Sequence, residues 1–270
     1  MGEPSSFAAD PDEPLAPWWR EEPGDATALS FEFTSRGDRV SGSLRLPAGD
    51  GASVPLVLLQ HAPSPGAPPL DGACRPWLDG GMAVASIDLP LHGARTSAKL
   101  THKLLRAMDR GEAASPLEAD LWVQFVRQGV ADLRRALDVL AAHPLLAGHP
   151  RLDAARVAYA GLGVGATLGA VFCAHEPRVR AAALGLGGGG VGPPAVDPAR
   201  HVGYIAPRPL LLVNAQRDEQ VPRDRALALQ AAAGEQGQVL WIDDASAPSR
   251  DAALTAMAHF LAEPLESRPA

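Results

Sequence analysis

The feature that most constrains this chain is the pentapeptide Gly161-Leu162-Gly163-Val164-Gly165. An apolar run, Val157-Ala158-Tyr159-Ala160, leads into it, and a segment of helical character, Ala166 to His175, leads away. A strand that turns within a few residues into a helix needs glycines where the two backbones crowd each other. Strand, sharp glycine turn and helix, in that order, are the context of the G-x-S-x-G elbow, in which a serine is held exposed above the end of a sheet. Here both outer glycines are in place, but Gly163 stands where the serine would be. The same residues therefore point to a fold and argue against the reaction usually carried out on it.

Apolar runs alternate with helical patterns along the rest of the chain. Leu29 to Thr34 and Val40 to Leu46 have strand character, with a turn at Arg36-Gly37-Asp38. Leu56 to Gln60 and Met82 to Ile87 are short and almost wholly apolar, as expected of strands covered on both faces. Leu117 to Ala142 carries Leu121, Phe125, Val130, Leu133, Leu137 and Leu140 at helical spacing. Further strands are expected at 179–184, 210–214 and 239–242, and helices at 100–110, 223–233 and 250–261. This alternation implies an α/β class with a mostly parallel central sheet and helices on both faces. Functional residues should then gather at the carboxyl ends of the strands. The expected organisation is an acidic, proline-rich tail over 1–28, a single domain over 29–262 and a C-terminal tail over 263–270, with Trp18-Trp19 able to dock on the domain.

Composition excludes several classes. At 46% hydrophobic and 20% charged over 270 residues, the chain has the make-up of a soluble globular protein. A net charge of -7 argues against general nucleic-acid or membrane-surface binding. No apolar run approaches the roughly 20 residues of a membrane span. Met1 to Asp25 has neither the basic start nor the apolar segment of a secretory leader, so a cytoplasmic location is expected. Cys74 and Cys173 stand alone, without a CxxC pair or a Cys/His cluster. Neither a disulfide framework nor a metal site is implied, and no cofactor is expected. Cys173 should be a small buried apolar residue.

Five regions, in order, resemble the α/β-hydrolase superfamily, nearest to its dienelactone-hydrolase-like and esterase members. The resemblance runs from about Phe31 to Leu261. Val54-Pro55-Leu56-Val57-Leu58-Leu59-Gln60-His61 resembles the strand leading to the oxyanion loop, and Asp88-Leu89-Pro90-Leu91-His92-Gly93 the D-x-x-x-H-G loop. Asp153 through Gly165 is similar to the elbow and its strand. Ile205 to Leu212, with Asp218-Glu219-Gln220-Val221-Pro222, is similar to the strand and turn that carry the triad acid. Leu240 to Ser246 resembles the last strand and the loop that presents the histidine.

Acyl transfer on such a fold needs a nucleophile, a histidine to activate it, an acid to orient the histidine and backbone N–H groups for the oxyanion. The resemblance places Gly163 at the nucleophile, Ser246 at the histidine and Asp218 at the acid. A serine hydroxyl cannot take up a proton near neutral pH as imidazole can. Asp218 also fits a plain turn-capping role. The oxyanion loop reads His61-Ala62-Pro63, and Pro63 brings no N–H. Val164 remains as a donor from the elbow. Thr167 lies one turn into the helix and is a poor substitute nucleophile.

Two other readings are weaker. Gly161-x-Gly163-x-x-Ala166 fits a relaxed dinucleotide fingerprint, but the next strand ends Ala183-Leu184-Gly185 without the acidic residue that reading requires. Gly185 to Gly190 repeats the spacing but is followed by Pro193-Pro194 instead of a helix, which suits a loop at the mouth of the site. His61, Asp88 and His92 are too scattered to make a strong metal signature, and loop-holding hydrogen bonds are the plainer role for Asp88 and His92. The main expectation is a pseudoenzyme with a degenerate triad that binds a small molecule in the cleft at the strand ends, or a partner. The alternative is an esterase-like hydrolase acting through non-standard residues, with His61, Asp88, His92 or Asp218 as acid or base.

Overall fold

The computed structural model describes Phe7, Asp10 and residues 12–49, 53–61, 70–110, 115–142 and 151–266. An antiparallel ribbon opens the chain: β1 (Trp18–Glu22), β2 (Asp25–Ser35) and β3 (Asp38–Arg45). The repeating units follow as β4 (Ser53–His61), α1 (Leu70–Asp79), β5 (Ala83–Ile87), α2 (Ala98–Arg110), α3 (Pro116–Ala141), β6 (Arg151–Leu162), α4 (Val164–His175) and β7 (Val179–Gly185). A short α5 (Pro198–His201) precedes β8 (Leu210–Arg217), α6 (Arg223–Ala233), β9 (Gly237–Asp244) and α7 (Ala247–Glu266).

These strands form one nine-stranded sheet in the order β1-β2-β3-β5-β4-β6-β7-β8-β9. Every pairing from β5 through β9 is parallel, while β1, β2 and β3 join antiparallel. Parallel strands buried on both faces should be apolar at consecutive positions. In β4, Leu56 and Leu58 belong to one core, and Val57 and Leu59 to the other. The first core lies against α3, α4 and α6, and the second against α1 and α7. Trp122 anchors the first and Trp77 the second, both withdrawn from solvent. Each such side chain contributes roughly 1.5–3 kcal/mol or more of burial free energy.

The long helix α3 begins on a capping box. Ser115 accepts from the Glu118 N–H through its Oγ, and Glu118 returns the bond to the Ser115 N–H at 2.9 Å, with Pro116 in the first turn. Both cysteines are free and buried. Burial pushes the Cys173 thiol far above its ordinary range, which agrees with a packing role.

Two boundaries differ from expectation. The sheet begins at Trp18, inside the stretch assigned to a tail, and the boundary at residue 28 falls within β2. Trp19 docks as expected, its ring 4.9 Å from that of Phe31, but it does so from a paired strand. The Glu13 carboxylate also accepts the N–H groups of Arg36 and Gly37 at 2.8 and 2.7 Å, closing the turn between β2 and β3. At the other end, α7 continues to Glu266, past residue 262.

Candidate functional site

The carboxyl ends of β6, β7 and β8 open into one broad cleft. Gly163, Val164, His92, Asp218 and Ser246 all line it. Gly163 joins β6 to α4 with φ 57 and ψ -116, a conformation that glycine adopts without the penalty a side chain incurs. Its N–H donates to the Gly185 carbonyl at 2.9 Å, and its own carbonyl accepts the Thr167 N–H at 3.0 Å. A Cβ built on Gly163 would meet nothing within 4 Å among the described residues, which leave the space above the turn open. The flanking glycines are fixed by contact: a Cβ at Gly165 would overlap the Gln60 carbonyl, and one at Gly161 the carbonyl of Gly165. Beneath the turn, the buried Tyr159 hydroxyl donates to the Gly165 carbonyl at 2.6 Å. Val164 and Gly165 start α4, so their N–H groups lack intrahelical acceptors and sit at the positive end of the helix dipole. Thr167 turns its Oγ1 back to the Gly163 carbonyl at 3.2 Å, in keeping with its weak candidacy as a nucleophile.

The loop after β5 divides the labour of Asp88 and His92. The Asp88 carboxylate accepts the Ala94 N–H at 2.9 Å and lies so close over Gly93 that a Cβ there would collide with it. Asp88 therefore holds the loop, and it does not line the cleft. Arg95 secures the same loop, donating to Asp132 of α3 at 2.6 Å, to Asp38 at 2.9 Å and to the Asp88 carbonyl at 3.2 Å. Leu91 takes a left-handed φ of 62, which costs a side-chain-bearing residue roughly 1–2 kcal/mol. The following residue, His92, is 6% exposed and stands in the cleft wall beside Phe125, ring centroids 5.8 Å apart. Its Nδ1 lies 2.8 Å from the Pro90 carbonyl. A carbonyl can only accept, so Nδ1 carries the proton and Nε2 holds a lone pair in the neutral ring.

Asp218 spends Oδ1 on the N–H groups of Gln220 and Val221, at 2.8 and 3.0 Å, a turn-capping use of the side chain. Ser246 caps α7: its carbonyl accepts the Arg250 N–H at 2.9 Å, and its Oγ donates to Asp244 at 2.5 Å. Hydrogen bonds from Ser246 and Ser249 hold the Asp244 carboxyl well below its ordinary range. His61 ends β4 beside Leu162, and Ala62 and Pro63 lie outside the described residues. His259 sits exposed on α7. Among the described residues no three metal-ligating side chains come together.

The loop from Gly185 to Gly192 borders the cleft through Leu186, Gly188 and Val191. Its amides are used within the protein, Gly189 donating to the Arg225 carbonyl at 2.9 Å and Gly190 to Asp197 at 2.8 Å. These two amides are thus committed within the protein, which leaves fewer donors for a phosphate and weakens the second glycine-rich reading. Thr101, Leu105 and Met108 of α2 also face the cleft. The sequence placed a helix over 100–110 but offered no signal that these residues face the site.

Neither a protein-family model nor a curated protein matches the sequence. Solved structures do. The chain is similar to a zinc-bound, cold-adapted esterase from an Arctic intertidal metagenomic library, at 21% identity and a TM-score of 0.66, covering 92% of this chain and 99% of that one. It is similar to acetyl xylan esterase 1 from Thermoanaerobacterium sp. JW/SL YS485, at 16% identity and a TM-score of 0.66, covering 92% and 88%. It is also similar to the alpha/beta hydrolase GrgF from Penicillium sp. sh18, at 14% identity and a TM-score of 0.63, covering 89% and 99%. Together with the strand order, these likenesses establish the α/β-hydrolase fold. No described helix is long and apolar enough to cross a membrane.

Proposed function

We propose that the cleft binds a small carboxylic ester or lactone and hydrolyses it with water in the place of a protein nucleophile. The observation that carries this reading is the space above Gly163, which no described residue enters, directly beside the Val164 N–H, which has no intrahelical acceptor. A carbonyl oxygen placed on the Val164 N–H would leave its carbon over Gly163, where a glycine makes room for a water molecule. Donors fixed in advance at an oxyanion position stabilise the tetrahedral state whatever the nucleophile is. Solved structures of this fold that carry the names of esterases support the same substrate class.

A second reading, binding without turnover, is favoured by Gly163 and Ser246 themselves. Gly163 has no side chain to attack with, and the Ser246 hydroxyl cannot act as a base near neutral pH. Both readings share the site and differ in whether a covalent bond breaks.

Incubation with phenyl acetate, short alkyl esters and dihydrocoumarin separates them, with acid release followed by titration. Turnover above buffer, with no labelling by a fluorophosphonate probe, is the expected result. Saturable binding by calorimetry with no acid released would replace the first reading with the second. Labelling of a serine would overturn both.

A further inference from the structure

We infer that His92 is the general base of this cleft, taking a proton from the attacking water through Nε2. The inference rests on the hydrolytic reading above and adds the residue that makes water reactive.

Several observations converge on it. His92 is 6% exposed, yet it lies in the wall of the cleft that contains Gly163 and Val164. Its Nδ1 proton is given to the Pro90 carbonyl at 2.8 Å, which fixes the tautomer and turns the basic nitrogen to the other end of the ring. Among the described residues Nε2 has no hydrogen-bond partner. One ring nitrogen is thus used to hold the loop, and the residue that carries the other lines the cleft. The loop that presents it is held from three sides, by Asp88 on Ala94 and by Arg95 on Asp38 and Asp132. The backbone carries a left-handed φ at Leu91 immediately before it. Rigid support and local strain are what placing a base requires.

The step balances without another reactant. Water gives a proton to His92 Nε2 while its oxygen bonds to the acyl carbon, and the carbonyl electron pair moves onto the oxygen held by the Val164 N–H. The pair then returns, the bond to the leaving oxygen breaks, and that oxygen takes the proton back from Nε2. Ester and water become acid and alcohol, and His92 ends as it began.

The test compares the full-length protein with His92→Ala and His92→Asn on phenyl acetate and dihydrocoumarin. Asn keeps a donor for the Pro90 carbonyl but brings no base. Loss of a general base lowers kcat on the order of 100-fold or more, with KM little changed, in both variants. Added imidazole, corrected for its own background, restores turnover in His92→Ala but not in His92→Asn, whose side chain fills the gap. A solvent deuterium effect on kcat in the unmodified protein, absent in the variants, completes the expected result. Turnover in the unmodified protein with kcat of His92→Asn within a few-fold of it overturns the role of His92 alone. No turnover in the unmodified protein overturns the hydrolytic reading and this inference together. Circular dichroism of both variants shows that the fold is retained; if His92→Ala unfolds, His92→Asn and the isotope effect decide.

Discussion

Arg95 Nη1 meets Asp132 Oδ2 at 2.6 Å, with the Asp132 side chain wholly out of water and that of Arg95 12% exposed. The pair joins the loop after β5 to the middle of α3, and Gln128 gives Asp132 a further bond at 2.7 Å. Removing one member of a buried pair leaves the other charge without its partner, at a cost of about 3–5 kcal/mol. Arg95→Met should therefore lower the urea midpoint by the equivalent of about 3 kcal/mol. Arg95→Met with Asp132→Leu should lose much less than the sum of the two single variants. Additive losses would show that the pair is not coupled.

That pair was not legible in the sequence, because its members are far apart along the chain and nothing local distinguishes Arg95 from the other arginines. Local signals carried the rest unevenly. The buried strands around Leu56 to Leu59 and Ala181 to Leu184 were legible because burial on both faces leaves continuous apolar runs. β1 was not, since Trp18-Trp19-Arg20-Glu21-Glu22 is an edge strand that stays largely exposed and has no apolar alternation. α1 was obscured by Pro76 inside it. At the site, the Gly163 turn was legible because three glycines in that context have few other uses. The roles of Asp88 and His92 were not separable, since a sequence does not say which carboxylate lies over Gly93 or which ring nitrogen faces a carbonyl. Ser246 fell where a histidine would be expected, but its partnership with Asp244 needed the third dimension.

Val164 tests the carbonyl site without touching a side-chain catalyst. Proline is accepted at the first position of a helix, where its missing N–H costs no intrahelical bond. Val164→Pro should keep the circular dichroism spectrum while losing one oxyanion donor, a change worth on the order of 100-fold in kcat. Hydrolysis of phenyl acetate at the unmodified rate would place the carbonyl elsewhere in the cleft.

The three glycines of the turn should respond very differently to alanine. Gly163→Ala introduces a methyl group that meets none of the described residues, so among them only backbone strain opposes it, about 1–3 kcal/mol. Gly165→Ala drives a methyl into the Gln60 carbonyl, a backbone atom of β4 that cannot rotate away. Thermal unfolding should show Gly163→Ala as a folded protein with a modestly lowered midpoint and Gly165→Ala as severely destabilised or unrecoverable. Equal midpoints would contradict the close approach of α4 to β4. Gly163→Ala should also slow hydrolysis, because the methyl occupies the space assigned to water.

His175 and His201 form a second histidine arrangement, remote from the chemistry proposed for His92. His201 Nε2 lies 3.0 Å from the Ala195 carbonyl and so carries the proton, leaving Nδ1 to accept from His175 Nε2 at 3.0 Å. Phe7 stacks on His175 with ring centroids 4.8 Å apart. Burial lowers both imidazoles from their ordinary value of 6.5, the charges of His201 and Arg134 lower His175 further, and Ala195 and Asp197 partly oppose the shift at His201. A histidine whose folded value is depressed takes up its proton first in the unfolded chain. Its contribution is thus complete above the unfolded value and is lost as pH falls below it toward the folded one. The melting temperature should fall between about pH 7 and pH 5, and less steeply in His201→Gln, which keeps a donor for Ala195 but cannot be charged. The carboxyls of Glu176 and Asp25, also held below their ordinary values, lose stability at still lower pH in both proteins alike. The difference between the two curves therefore isolates the histidine pair, and parallel curves would remove it as the source of acid sensitivity.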